Sequence, residues 1–250
     1  MRSPATQPAP DPVTAATATA PTPRAKRRPV RFLVLLTLFG GIPLAAGAAR
    51  LVQLAGHPAV TEENARFVHS PAPVVVHVVA AFVYWLAGAT QFVPWSWRGH
   101  RTWHRWAGRV LLLPAGLAVA GSGLWMTLRY PWPEQDGWLL AAMRLVVGLA
   151  MVGALVLGVV EVRRRRFAAH RAWMVRAYAL ALGAGTQVLT ALPWLAVTGS
   201  TAVGTPRALL LGAGWLINAV VAEWWLRRRP GLGSPATAGA RLRRGAPRPA

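Results

Sequence analysis

Two short segments of the chain repeat one order of residue types that is suited to binding chemistry. The first reads HRWAGR and begins at His104, and the second reads HRAWMVR and begins at His170. Imidazole is a common metal ligand, and arginine forms forked hydrogen bonds with carboxylates and phosphates. Two imidazoles facing each other across a helix bundle would suit b-type haem, with arginines near its propionates. The predicted cofactor-binding set is His104 and His170 as metal ligands, with Arg105, Arg109, Arg171 and Arg176 around them.

Two alternatives to haem stay open for these motifs. The same histidines and arginines would suit a phosphate or the headgroup of a quinone. They would equally suit an interfacial belt, in which His and Arg extend towards the headgroups and Trp anchors the helix end.

A third histidine, His77, is predicted to lie six residues into an apolar helix, about 9 Å from its outer end. Helical spacing places Ala81, Tyr84, Gly88 and Gln91 on the same face. Small and polar residues favour the interior of a membrane bundle, where backbones approach closely. His77 is therefore predicted to be a haem ligand or proton-handling group, or else a histidine that hydrogen-bonds between helices for packing alone.

The remaining charges inside or at the ends of apolar stretches are predicted to form ion pairs. Arg144 has Glu134 and Asp136 as acidic neighbours, and the region of His77 and Tyr84 as an alternative. Glu161 and Glu223 lie where arginines are plentiful, so both are expected to be paired.

Composition indicates the scaffold that must hold these residues. The 250-residue chain is 54% hydrophobic yet carries a net charge of +21. A bilayer accommodates both properties, because lipid solvates the apolar stretches while the charges lie in loops and tails. No cysteine is present, which excludes disulfides, iron–sulfur clusters and thiolate metal sites. The basic residues are divided among short segments, so no nucleic-acid partner is predicted.

The hydropathy pattern predicts an all-α, polytopic membrane helix bundle with six transmembrane helices in residues 31–226. Each apolar stretch approaches the roughly 20 residues needed to cross the hydrocarbon. Residues 1–30 are predicted to be a disordered cytoplasmic tail, and residues 227–250 a disordered basic one. The predicted spans are 31–53, 73–93, 106–128, 137–161, 172–197 and 206–226.

Arginine asymmetry predicts the orientation of the bundle. One side holds the basic cluster before the first span, the second and fourth loops and the C-terminal tail, whereas the other side mixes few arginines with acidic residues. The positive-inside rule then places both termini in the cytoplasm, with the inner (plasma) membrane as the location. The basic cytoplasmic face is also expected to attract anionic lipid.

At these residues the sequence resembles a family of predicted bacterial membrane proteins classed as a domain of unknown function. The resemblance covers roughly Val75 to Leu189 and rests on His77, the segment GATQF that begins at Gly88, and the two histidine–arginine motifs. It implies a multi-pass membrane protein and no particular activity. The sequence also has a looser similarity to six-helix transmembrane b-type cytochromes, which hold two haems between histidine pairs. This chain has one histidine too few for a second such pair.

Two functions are therefore predicted. One is transmembrane electron transfer through haem b at a site formed by His104 and His170. The alternative is a non-enzymatic membrane module that binds anionic lipid or a partner protein through its basic cytoplasmic face. The sequence contains no phosphate-binding glycine loop, zinc-protease helix or serine nucleophile elbow, so an enzyme is not favoured. If the protein is one, the haem hypothesis makes it a membrane oxidoreductase. The pattern does not indicate an oligomeric state.

Overall fold

The computed structural model describes residues 24–92 and 99–228, and these form helices joined by short loops. The predicted all-α class is confirmed for this part of the chain. The helices are α1 (Arg24–Ala55), α2 (Ala65–His69), α3 (Pro71–Gln91), α4 (Arg101–Ala107), a π-helical segment (Gly108–Leu112), α5 (Leu113–Arg129), α6 (Trp138–Arg163), α7 (Phe167–Ala181), α8 (Gly183–Thr198) and α9 (Gly204–Arg227).

Four stretches in the described residues are long and apolar enough to cross a membrane, and α7 with α8 makes a fifth if that bent pair is one span. They correspond to the second through sixth predicted spans. The four are Pro71–Gln91, Arg101–Arg129, Trp138–Arg163 and Gly204–Arg227.

Helix α1 contains the first predicted span, residues 31–53, and begins at Arg24 within the predicted N-terminal tail. Residues 1–23 of that tail lie outside the described residues, as do residues 93–98 and 229–250. The predicted C-terminal tail is described only at Arg227, the last residue of α9, and at Arg228.

The third predicted span starts earlier than expected and changes its pitch. It runs from Arg101 to Arg129 through the π-helical segment, so His104 lies inside the helix instead of just before the predicted start at residue 106. Pro114 follows this segment and has no N–H to donate to the preceding turn. A local π-helical turn accommodates the missing hydrogen bond.

The fifth predicted span, residues 172–197, is not one straight helix. It breaks at Leu182, and α7 and α8 are bent by 42° to each other. Glycines at positions 183 and 185 weaken the helix there. Asn218 of α9 stabilises the break, because its Nδ2 donates to the carbonyl of Ala179 at 3.0 Å and its Oδ1 accepts from Thr186 Oγ1 at 2.8 Å.

The core lies between α3, α5, α6 and α7, which pack as a four-helix bundle. Tyr84 and Tyr178 are 3% and 5% exposed, with ring centroids 5.6 Å apart. Gly88 and Gly116 make room for these rings, since a Cβ at Gly88 would lie 2.2 Å from Tyr178 and one at Gly116 would lie 2.7 Å from Tyr84. Small residues therefore let the helices approach around two buried tyrosines.

Gly214→Ala is expected to lower the free energy of unfolding by about 1–3 kcal/mol. A Cβ at this position would lie 2.8 Å from the backbone nitrogen and 3.0 Å from the Cα of Gln187, and backbone cannot move aside as a flexible side chain can. Reversible unfolding in mixed micelles would measure the loss. Gly153→Ala on α6 is the control, because its Cβ would meet nothing within 4 Å. Equal stability of the two variants would contradict the packing between α8 and α9.

Candidate functional site

His170 lies in the first turn of α7 and is hydrogen-bonded to the neighbouring helix. Its Nδ1 is 2.8 Å from the carbonyl oxygen of Gly158 on α6. A carbonyl oxygen only accepts, so Nδ1 carries the proton and Nε2 keeps its lone pair. Histidines that ligate metals typically have this arrangement, with one nitrogen held by a backbone carbonyl and the other available.

His104 lies on α4 and has a buried ring nitrogen without a partner. Its Nδ1 forms no hydrogen bond within residues 24–92 and 99–228. A buried polar atom that lacks a partner costs free energy, and such atoms are often found at binding sites. His170 and Arg171 lie within electrostatic range of the His104 ring. The fold thus brings the histidines of both motifs together at one end of the bundle.

The four predicted arginines differ in their environments. Arg105 and Arg109 are exposed, and Arg171 is partly buried. Arg176 forms a forked ion pair with Glu223 of α9, with Nη2 3.1 Å from Oε2, and its Cζ lies 4.7 Å from the ring centre of Trp173. Arg176 therefore connects α7 to α9, and its guanidinium already has a carboxylate partner.

His77 lies in the opposite half of the bundle from these two histidines. Its Nδ1 is 3.1 Å from both the carbonyl oxygen of Val119 and the Oγ of Ser122 on α5. Val119 is separated from His104 by fifteen residues of nearly continuous helix, or about 22 Å. His77 thus hydrogen-bonds between helices and does not share a site with His104 and His170.

Acidic residues at both ends of the bundle form the ion pairs that their positions predicted. Asp136 lies 2.7 Å from Arg144, and Glu161 lies 3.9 Å from Arg164 and 3.8 Å from Arg166. Together with the pair between Arg176 and Glu223, these contacts confirm the predicted pairing of Arg144, Glu161 and Glu223.

Asp136 has a second partner that sequence reasoning missed. Arg207 of α9 lies 2.7 Å from its Oδ1, and the Asp136 side chain is only 3% exposed. Burial by itself raises the pKa of Asp136, but Arg144 and Arg207 outweigh burial and hold the pKa below its usual value. Since Asp136 precedes α6, the carboxylate connects α6 to α9.

Charge is distributed unevenly between the two ends of the bundle. Among the described residues from Gly56 onwards, the end with His104 and His170 has eleven arginines and two glutamates, whereas the other end has four basic and four acidic residues. The eleven are Arg101, Arg105, Arg109, Arg163, Arg164, Arg165, Arg166, Arg171, Arg176, Arg227 and Arg228, and the two glutamates are Glu161 and Glu223.

The described residues contain no group of three or more His, Asp or Glu side chains placed to hold a metal ion. A metal held by protein ligands alone is therefore not indicated in this part of the chain. Haem needs fewer protein ligands, because the macrocycle supplies four of the donors to its iron and two histidines complete the set.

A bundle of several apolar helices with arginines at one end defines an integral, multi-pass membrane protein. The chain belongs to the family of predicted membrane proteins DUF2306, whose model matches residues 74–226. This match confirms the family resemblance inferred from His77 and the two histidine–arginine motifs. Neither the curated proteins nor the solved structures contain a match to this chain.

Proposed function

We propose that this protein is a six-span inner-membrane protein that carries one b-type haem between His104 and His170 and transfers electrons through it. The observation that supports the proposal best is that these histidines, on separate helices at one end of the bundle, lie within electrostatic range of each other, with the Nδ1 of His104 buried and without a partner in the described residues. In this proposal α1 also crosses the membrane, which brings the number of spans to six, and both termini lie in the cytoplasm, as the positive-inside rule predicts for the uneven arginine distribution.

The hydrogen bonding of the two imidazole rings would allow both to hold a haem iron. The Nδ1 of His170 is held by Gly158, which leaves Nε2 as its ligating atom, while His104 has an unpartnered buried Nδ1. Haem bound here would supply reversible one-electron chemistry. The exposed Arg105 and Arg109 would bind the haem propionates. Arg176 would not bind them directly, because its guanidinium is already ion-paired with Glu223.

The absorption spectrum of the purified protein tests this proposal directly. Protein made in cells supplied with ample haem precursor is expected to be red, with a Soret band that shifts when dithionite is added. Colourless protein, purified folded from such cells, would rule out the haem.

Charge asymmetry favours a second function, the binding of anionic lipid at the arginine-rich end. Among the described residues from Gly56 onwards, this end holds eleven arginines and only two glutamates, and each basic residue near a membrane surface adds about 1 kcal/mol of attraction to anionic lipid. The attraction would be weakened by salt, since most of these arginines are exposed.

Replacing Arg163 and Arg165 together by glutamine is expected to weaken phosphatidylglycerol binding by about fivefold for each arginine. Native mass spectrometry of the purified protein with added phosphatidylglycerol would count the lipids retained. Arg129→Gln, at the other end of the bundle, is the control and is expected to change nothing. Equal retention by both variants would count against lipid binding at this face.

A further inference from the structure

A cavity of about 150 Å³ lies inside the bundle, away from His104 and His170. Helix α1 forms one wall through Gly40, Pro43, Leu44 and Gly47, and the break between α7 and α8 forms another. The remaining wall comes mainly from α3, through residues that include His77, Ala81, Tyr84 and Trp85. The bend between α7 and α8 therefore borders the cavity, which a straight helix in their place would tend to fill by packing closely against its neighbours.

Two polar side chains of α3 line the cavity. Tyr84 is 3% exposed and carries a hydroxyl that can donate to a ligand. His77 uses Nδ1 to donate to Val119, so its Nε2 is an acceptor. Tyr178 also borders the cavity, but its hydroxyl donates to the carbonyl of Trp85 at 3.0 Å. The α3 wall thus offers one donor and one acceptor, about two helical turns apart.

Size, polarity and location together restrict the ligand. A cavity of about 150 Å³ in a protein core is large enough for a single six-membered ring such as benzene. No Asp, Glu, Lys or Arg lines this cavity, so it suits a neutral molecule. The aromatic rings of Tyr84, Trp85 and Tyr178 favour a flat partner. Since the lining residues belong to membrane-spanning helices, the ligand must also be soluble in lipid.

We propose that this cavity binds the ring of a lipid-soluble quinone or quinol. The Tyr84 hydroxyl donates to a ring oxygen of the quinone, and His77 Nε2 accepts from a hydroxyl of the quinol. The ring lies among the three aromatic side chains, with the small residues of α1 and of the α7–α8 break on its other side. This site does not require haem at His104 and His170, so the two proposals can fail separately.

Photolabelling with an azido-substituted short-chain ubiquinone in lipid nanodiscs tests the site. Saturable label is expected on peptides from α3 and from the α7–α8 break, and excess unlabelled decylubiquinone should displace it. Label that does not saturate, or that is not displaced, would overturn the proposal and would indicate a cavity filled by water or lipid alone.

Ala81→Phe fills the cavity and is expected to reduce specific labelling at least tenfold. Val79→Phe adds the same ring two residues away, at a position that is 49% exposed, and is expected to label like the unaltered protein. Equal labelling of the two variants would refute the proposed position of the ring.

Tyr84→Phe removes the donor and keeps the buried aromatic ring. It should therefore fold normally while the quinone binds roughly fivefold to tenfold more weakly. If Ala81→Phe fails to fold, Tyr84→Phe still tests the proposal. Unchanged quinone affinity in folded Tyr84→Phe would exclude the proposed hydrogen bond from Tyr84 to the quinone.

Discussion

Asp136→Asn is expected to lower the free energy of unfolding by about 3 kcal/mol, the lower end of the range for breaking a buried ion pair. The substitution leaves Arg144 and Arg207 close together without the carboxylate that lies 2.7 Å from each. The Asp136 side chain is 3% exposed, but the arginines are 34% and 29% exposed and so retain some contact with water. Their hydration limits the loss. Reversible unfolding in mixed micelles at neutral pH would measure it.

The same carboxylate should make stability depend on pH. Its pKa in the folded protein lies below the usual value of about 3.9, so the paired form stabilises the fold above that value. This contribution is expected to decline as pH falls below about 4 and to be lost below the folded pKa. In Asp136→Asn that part of the pH dependence should disappear.

Glu134→Gln is the matched control, because Glu134 is an exposed acidic residue of the same loop. It should leave both the neutral-pH stability and the acid dependence unchanged. If Asp136→Asn and Glu134→Gln behaved alike, Asp136 would not be the group that links α6 to α9.

The helices that are long and apolar enough to cross a membrane were predictable, because lipid imposes a length and a polarity on each span. The bend at Leu182 was not, although Gly183 and Gly185 lie beside it, because glycine in a membrane helix is as often a packing residue as a breaking one. What stabilises the break is Asn218, on the following helix, which accepts from Thr186 and donates to Ala179. A contact between residues 39 positions apart leaves no local pattern in the sequence.

The same distinction applies to the charged residues. The pair between Arg144 and Asp136 was predictable, since eight residues separate them across the start of one helix. Arg207 was missed, because its approach to Asp136 depends on how α9 packs against α6, 71 residues away. That His104 and His170 lie at the same end of the bundle was easier to predict than the approach of Arg207 to Asp136. Both histidine–arginine motifs begin a span from the same side, so their depth in the membrane is fixed before the packing of the helices is known.

His104→Ala and His170→Ala are each expected to bind haem more weakly and to show a shifted Soret band, because the one remaining histidine can hold a haem iron but no longer as part of a histidine pair. The two variants should differ in stability. His170→Ala loses a hydrogen bond to Gly158, worth about 1 kcal/mol, whereas His104→Ala removes a buried nitrogen that has no partner in the described chain and should be neutral or stabilising. Absorbance and unfolding measured on the same preparations would separate loss of haem from loss of fold.

His77→Ala is the control for a single haem site. Its ring bonds to Val119 and Ser122, about 22 Å along the helix from His104, so this variant should stay red while losing some stability. If His77→Ala were colourless and His104→Ala red, the ligands would have been assigned to the wrong end of the bundle. If the unaltered protein is red, a stable His104→Ala protein that binds less haem would show that His104 takes part in holding the haem.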